Sequence, residues 1–246
     1  MKSFGRVPKL LARWVIQTLS VSLLLFVAAG TTDLPSLRDY LVTFSGFLLA
    51  TMLAVDPGLA EERSSTREAG ETSGRVSAGL WFLATVVVAA LEIGRLHSLP
   101  PVPVHARHAS LVFFAGAMAL QMWAMVVNPF FSPEISLQSE RGHKLVACGP
   151  YCLLRHPGYL AMLVAIPSSA LAIGSWLALA PAAAFCLTIL KRVGMEEEFL
   201  RRNLAGYPEY LEKVRGRLLP RMDFRRHPSR TLPPDFPSQP SERSRP

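Results

Sequence analysis

Two charged clusters stand against apolar runs, and both are built from residue types that bind charged groups. In "CGPYCLLRHPGYLA", Cys148 to Ala161, the residues Arg155, His156 and Tyr159 sit at the mouth of an apolar segment. Pro157 suits the first turn of a helix, where its missing N–H costs nothing. His156 and the amides after it then face the helix entrance, where unpaired donors and the dipole favour a negative group such as a carboxylate. In "LKRVGMEEEFLRRNLAGYPEYLEKVRGRLLP", Arg192 and Glu196 are four apart and share one helical face. Glu197 points about a quarter-turn away, with Arg201 as its own i+4 partner. Taken singly, these residues are ordinary interfacial anchors or solvated helix pairs. Their order along the chain is what gives them weight.

The elements that must position them are apolar helices. The chain has 246 residues, half of them hydrophobic, and a mean hydropathy of +0.27, which predicts an all-α, polytopic membrane protein. Six apolar segments stand out: Trp14–Gly30, Leu37–Val55, Gly79–Ile93, Ala109–Val127, Tyr159–Ile173 and Trp176–Leu190. Several fall short of the roughly 20 residues a spanning helix needs, so the expectation is five to six spans, the shorter ones lying deep among neighbours. The first segment follows Lys2, Arg6, Lys9 and Arg13 and ends in Ala28-Ala29-Gly30, features a cleaved signal would share; an uncleaved helix is expected from its length and the spans after it.

Charge sets orientation. Lys and Arg exceed Asp and Glu by a net +8, and the excess lies at the two ends and beside apolar runs. That distribution fits orientation against anionic lipid rather than nucleic-acid binding. The basic amino terminus, the loop with Arg63, Arg67 and Arg75, and the loop with Arg141, Lys144 and Arg155 share the cytoplasmic side if every segment spans. The stretch 56–77 reads as a flexible loop and 221–246 as a disordered basic tail rich in proline. The organisation is thus 1–128 as amino-terminal transmembrane helices on the substrate side, 129–220 as the region that carries the chemistry, and 221–246 as the tail.

In that middle region "NPFFSP" stops the fourth helix at Pro129 and Pro133, a polar stretch with Gln138, Glu140, Arg141, His143 and Lys144 follows, and Gly149-Pro150 makes a turn. Cys148, Cys152 and Cys186 make an odd set with no pairing framework and are expected as free thiols. His97, His105 and His108 lie without a carboxylate or thiolate nearby in sequence, so no metal site is expected. Glu92, near the end of an apolar run, is a candidate for a role in substrate access.

The ordered set "GHKLVACGPYCLLRHPGYLA", a short apolar hairpin, then "KRVGMEEEFLRRNLAGYPEYLEKVRGRLLP" resembles the isoprenylcysteine carboxyl methyltransferase and phospholipid methyltransferase family of membrane enzymes, over 138–220, roughly a third of the chain. The resemblance implies S-adenosylmethionine as methyl donor, taken from the cytosolic side, and a lipophilic or prenylated acceptor reached through the bilayer. It maps His143, Leu145 and Val146, with Gln138 across a short gap, onto the cofactor-lining segment. Tyr151, His156, Pro157, Gly158 and Tyr159 map onto the rest of that pocket, and Glu196 onto the cofactor-binding glutamate. Arg192 maps onto the arginine beside the acceptor's reacting group. Ala161 stands where the family often has glycine, a small-for-small change.

With a carboxylate acceptor, in-line transfer needs little acid or base chemistry, and Arg192 orients the acceptor. With a protonated phospholipid amine a base is required, and Glu197 is the first candidate. A third possibility is a sterol-reductase-like oxidoreductase using a reduced nicotinamide cofactor in a similar polar pocket. It predicts further spans and determinants for a cofactor phosphate, which the sequence does not display. Neither the acceptor nor the oligomeric state is written in the sequence.

Overall fold

The computed structural model describes residues 6–55, 72–132 and 134–220, and within them every regular element is helical. The order is α1 (Arg6–Ala29), α2 (Pro35–Ala54), α3 (Thr72–Leu91) prolonged by a π-helical turn (Glu92–Leu96), α4 (Val104–Val127), α5 (Pro157–Ile173), α6 (Leu179–Asn203) and α7 (Tyr207–Lys213). Short 3-10 turns occupy Ser139–Arg141 and Gly149–Cys152. Pro133, the arginines Arg63 and Arg67, and the tail 221–246 lie outside the described residues. So does the expected loop up to residue 71. Its last residues, Thr72–Ser77, are instead the opening turns of α3, because Ala78 and Phe82 bury against the α5–α6 cluster and tertiary packing outweighs the loop-like composition.

Among the described residues four helices are long and apolar enough to cross a bilayer: Val7–Ala29, Pro35–Ala54, Gly74–Leu96 and Val104–Val127. Their outer faces carry exposed Ile16, Leu19, Leu23, Val42, Leu80, Val112 and Phe113, as lipid contact requires. The α5–α6 pair is different. At about 25 Å, α5 falls short of the ~30 Å hydrocarbon core, and the apolar part of α6 ends before Lys191 and Arg192. This hairpin lies deep in the bundle: α5 presents buried Ala161, Ala165, Ser169, Ala170 and Ala172, small residues that let α4 pack along it. Pro167 interrupts α5 and removes a donor from the ladder; the Leu163 carbonyl it leaves receives the Cys186 thiol at 3.9 Å. The three cysteines are unbridged.

Contacts fix which helix ends lie together. Arg95 donates to the Val27 and Ala28 carbonyls at 3.0 and 2.8 Å, and Gly94 meets Ala29 so closely that an added Cβ would lie 2.2 Å from its carbonyl oxygen. The Ala28-Ala29-Gly30 stretch is thereby packed into the bundle. Ser36 at the start of α2 donates to the Ile173 carbonyl at the end of α5. Glu92 belongs to this same end: it is 3 % exposed and accepts from the Ser98 hydroxyl and the Leu99 amide, both at 2.8 Å. It ties down a turn at this end and is not among the residues that line the pocket described next. The opposite end therefore gathers the start of α3, the end of α4, the start of α5 and the charged end of α6.

Candidate active site

The connection from α4 to α5 folds onto itself before it meets the pocket. Asn128 ends α4 and its side-chain oxygen accepts from the Phe130 amide at 2.9 Å, a side-chain turn that redirects the chain. Gln138 is buried, and its amide nitrogen donates to the Phe130 carbonyl at 2.9 Å while its oxygen accepts from Arg141. Its backbone N–H donates to His143 Nδ1 at 3.3 Å, and the His143 ring stacks on Phe130 with centroids 4.5 Å apart. Gly149 has φ +57°, and a Cβ there would press on Val127 at 3.0 Å, so glycine alone makes the turn that delivers buried Tyr151. At the start of α5, a Cβ on Gly158 would lie 2.6 Å from the Phe131 ring. Its lack of a side chain lets the loop seat against the helix entrance.

These elements enclose a cavity of about 550 Å³, within the usual size for a small-molecule site. The structure brings His143, Leu145, Val146, Tyr151, His156, Pro157, Gly158, Tyr159, Arg192 and Glu196 onto this one cavity. Its polar end is a short network. The Tyr159 hydroxyl donates to Glu196 at 2.5 Å, and Arg192, 4 % exposed, interacts with both Tyr159 and Glu196. His156 caps α5 without a side-chain bond. Its Nε2 is buried with no hydrogen-bond partner, a polar atom in want of a ligand. The far part of the cavity is apolar, bounded by Ala78 and Phe82 of α3, Met162 and Ile166 of α5, and Phe185 and Ile189 of α6.

Gln138 and Glu197 do not line the cavity. Gln138 shapes the loop that does. Glu197 is held between two arginines: Arg155 at 2.7 Å and Arg217 at 2.7 Å, one on each carboxylate oxygen. This corrects the expected Glu197–Arg201 pair, since Arg201 and Arg202 both bind Glu198. The reason is tertiary. After α7 the chain returns as a strap: the Arg155 and His156 amides donate to the carbonyls of Gly216 and Arg217 at 2.8 and 3.1 Å, and Arg155 also donates to the Val214 carbonyl. Tyr210 donates to the Tyr151 carbonyl at 2.6 Å, and Tyr207 and Tyr210 complete the cavity wall. Sequence reading missed this strap and the two tyrosines, whose only signal was aromatic residues in an otherwise charged stretch.

Burial governs the electrostatics. It pushes the His156 imidazole down to about 3, with Arg155 and Arg217 adding repulsion, so the ring is neutral at physiological pH and offers a hydrogen bond rather than a charge. Burial lowers His143 as well, helped by Arg141. The Glu196 carboxyl is raised by burial, against the pull of Tyr159 and Arg192. A cationic ligand would relieve that cost. The cavity thus offers a poorly solvated carboxyl, an arginine and an unpartnered imidazole at one end and an apolar slot at the other. Among the described residues no group of three His, Cys, Asp or Glu is placed to hold a metal ion.

Residues 109–202 match the family model of the isoprenylcysteine carboxyl methyltransferase (ICMT) family. No curated protein matches the chain. The matched stretch runs from within α4 to the end of α6 and includes every sequence-derived site residue, whereas α3 and the strap lie outside it. Over these residues the chain is similar to the isoprenylcysteine carboxyl methyltransferase family, a likeness that supports the coarse reading of a membrane methyltransferase.

Proposed function

We propose that the chain transfers the methyl group of S-adenosylmethionine to a carboxylate oxygen of a lipophilic, isoprenylcysteine-like acceptor. The observation that carries this reading is the single cavity with a charged end and an apolar slot between α3, α5 and α6. The residues fit the cofactor's chemistry. Glu196, raised by burial, suits its cationic part; the buried, unpartnered His156 Nε2 and the α5 entrance suit its carboxylate; Tyr151, Leu145 and Val146 offer apolar and aromatic walls. Gln138 serves by holding the loop that carries His143. When bound, the cofactor supplies an electrophilic methyl on a sulfonium.

Arg192 then orients the acceptor carboxylate, through a bidentate contact. With the cofactor bound, the acceptor oxygen would form the new O–C bond as the methyl–sulfur bond breaks with its electron pair going to sulfur, giving a methyl ester and S-adenosylhomocysteine with no proton to move. Proximity and exclusion of water do the rest. The engagement of Glu197 by two arginines favours this over a phospholipid amine acceptor, because the carboxylate that would serve as base is occupied outside the cavity.

We further propose that 129–220 holds the cofactor while helices within 1–128 shape the acceptor's path, and that the site faces the cytoplasm. Lys9 and Arg13 at the start of α1, Arg75 at the start of α3 and Lys144 in the loop lie at the site end, in keeping with the positive-inside tendency. Incubation of the detergent-purified protein with labelled methyl donor and an N-acylated S-prenyl cysteine tests the reaction. Base-labile methyl ester is the expected product; label found only on amine headgroups would overturn the carboxylate assignment.

A further inference from the structure

α3 lies outside the stretch that matches the family, yet it forms one wall of the cavity. Arg75, Ala78, Gly79 and Phe82 line it at successive i, i+3, i+4 and i+7 positions, so one face of α3 runs along the slot. Gly79 is the anomaly on that face. A glycine inside a helix costs about 1 kcal/mol against alanine, and two reasons usually account for it. A positive φ is one, and Gly79 has none. Close packing against a neighbouring backbone is the other, as Gly94 has against Ala29; a Cβ on Gly79 would meet nothing within 4 Å. Gly46 and Gly116 are equally open but do not line this cavity. Gly79 alone among the three leaves its missing side chain as space within the slot.

We infer that Gly79 is a specificity-determining residue, whose absent side chain leaves the passage through which the apolar chain of the acceptor leaves the polar end of the cavity toward the bilayer. The occupant follows from continuity. The slot begins at Arg192, where the acceptor's carboxylate is held under the proposed function on which this inference rests, and it passes between apolar side chains of α5 and α6 before reaching α3. A chain anchored at the arginine has this one apolar direction to follow. Gly79 is exposed, so the passage reaches the surface at that residue, about one helical turn beyond Arg75. A short chain ends before it, and a long chain must cross it.

The test uses the full-length protein in detergent with two acceptors, N-acetyl-S-geranyl cysteine and N-acetyl-S-geranylgeranyl cysteine. Gly79→Leu is expected to lower kcat/KM for the geranylgeranyl acceptor about tenfold relative to the geranyl acceptor, with S-adenosylhomocysteine affinity unchanged; Gly116→Leu, equally tolerant of a side chain, should shift neither. In Gly79→Cys, the introduced thiol, followed by peptide mass after alkylation, should be protected by the geranylgeranyl acceptor and not by the geranyl one. An unchanged chain-length ratio in Gly79→Leu, or an introduced thiol alkylated at the same rate with and without the long acceptor, overturns the inference. If the parent binds no S-adenosylhomocysteine yet the thiol is protected, the methyltransferase reading fails and the passage stands. If it binds S-adenosylhomocysteine without protection, the passage fails and the reading stands.

Discussion

His156 is where pH reaches the stability of this protein. Its folded value of about 3 lies below the ~6.5 of an unfolded histidine, so between those values the unfolded chain binds the extra proton. Stability from this residue is complete above pH ~6.5 and is lost as pH falls toward 3, by about 1.4 kcal/mol between pH 7.5 and 5.5. Unfolding midpoints of the detergent-solubilised protein against pH should show this slope, and His156→Gln should flatten it by one proton; equal slopes would mean the ring is solvated. Two substitutions separate binding from turnover. Glu196→Gln should weaken S-adenosylhomocysteine by about tenfold or more, as loss of a charge-assisted contact does. Arg192→Ala should lower methyl transfer far more than it lowers cofactor affinity, and a variant as active as the parent would make Arg192 a structural residue. Residue types were legible in the sequence here, but partners were not. The i+4 rule gave Glu197 the partner Arg201, whereas the fold gives it Arg155 and Arg217 from distant parts of the chain. Nothing local encodes such a pairing, and it moved Glu197 from candidate base to brace.

Elements were the most legible scale where a physical signal marks them. Pro157 after His156 starts α5, Asn128-Pro129 ends α4, Gly149 takes its positive φ, and α6 runs unbroken from apolar to charged residues. What escaped was set by packing: the opening turns of α3, and the strap after α7 that pairs by backbone rather than by side-chain pattern. Glu197→Ala should free that strap. The Arg155 and His156 amides, now bonded to Gly216 and Arg217, should exchange hydrogen faster, and stability should fall by about 3 kcal/mol, since Arg155 is left charged and largely buried. Unchanged exchange would show that the backbone bonds hold the strap unaided. Gly158→Ala probes the other side of the site. Its methyl would meet the Phe131 ring, an overpacking worth about 1–3 kcal/mol, read as a lower unfolding midpoint. A midpoint equal to that of the parent would show that the loop yields without cost.

Among the described residues, four long apolar helices frame a deeply packed hairpin, and the polar ends of that hairpin meet one folded loop and one returning strap. The membrane architecture was legible because hydropathy reports it directly. The cavity was legible only in part: the ordered motifs named its polar end, while the contribution of α3 comes from a helix with no motif, placed by packing against α6. The proposed ligand of this cavity is S-adenosylmethionine. The most direct test of that proposal is calorimetric titration of the detergent-purified protein with S-adenosylhomocysteine and, separately, with a reduced nicotinamide dinucleotide, using His156→Ala as the control. Saturable S-adenosylhomocysteine binding that the variant loses, with no binding of the dinucleotide, is the expected result. Binding of the dinucleotide alone would contradict it and make the cavity a reductase site.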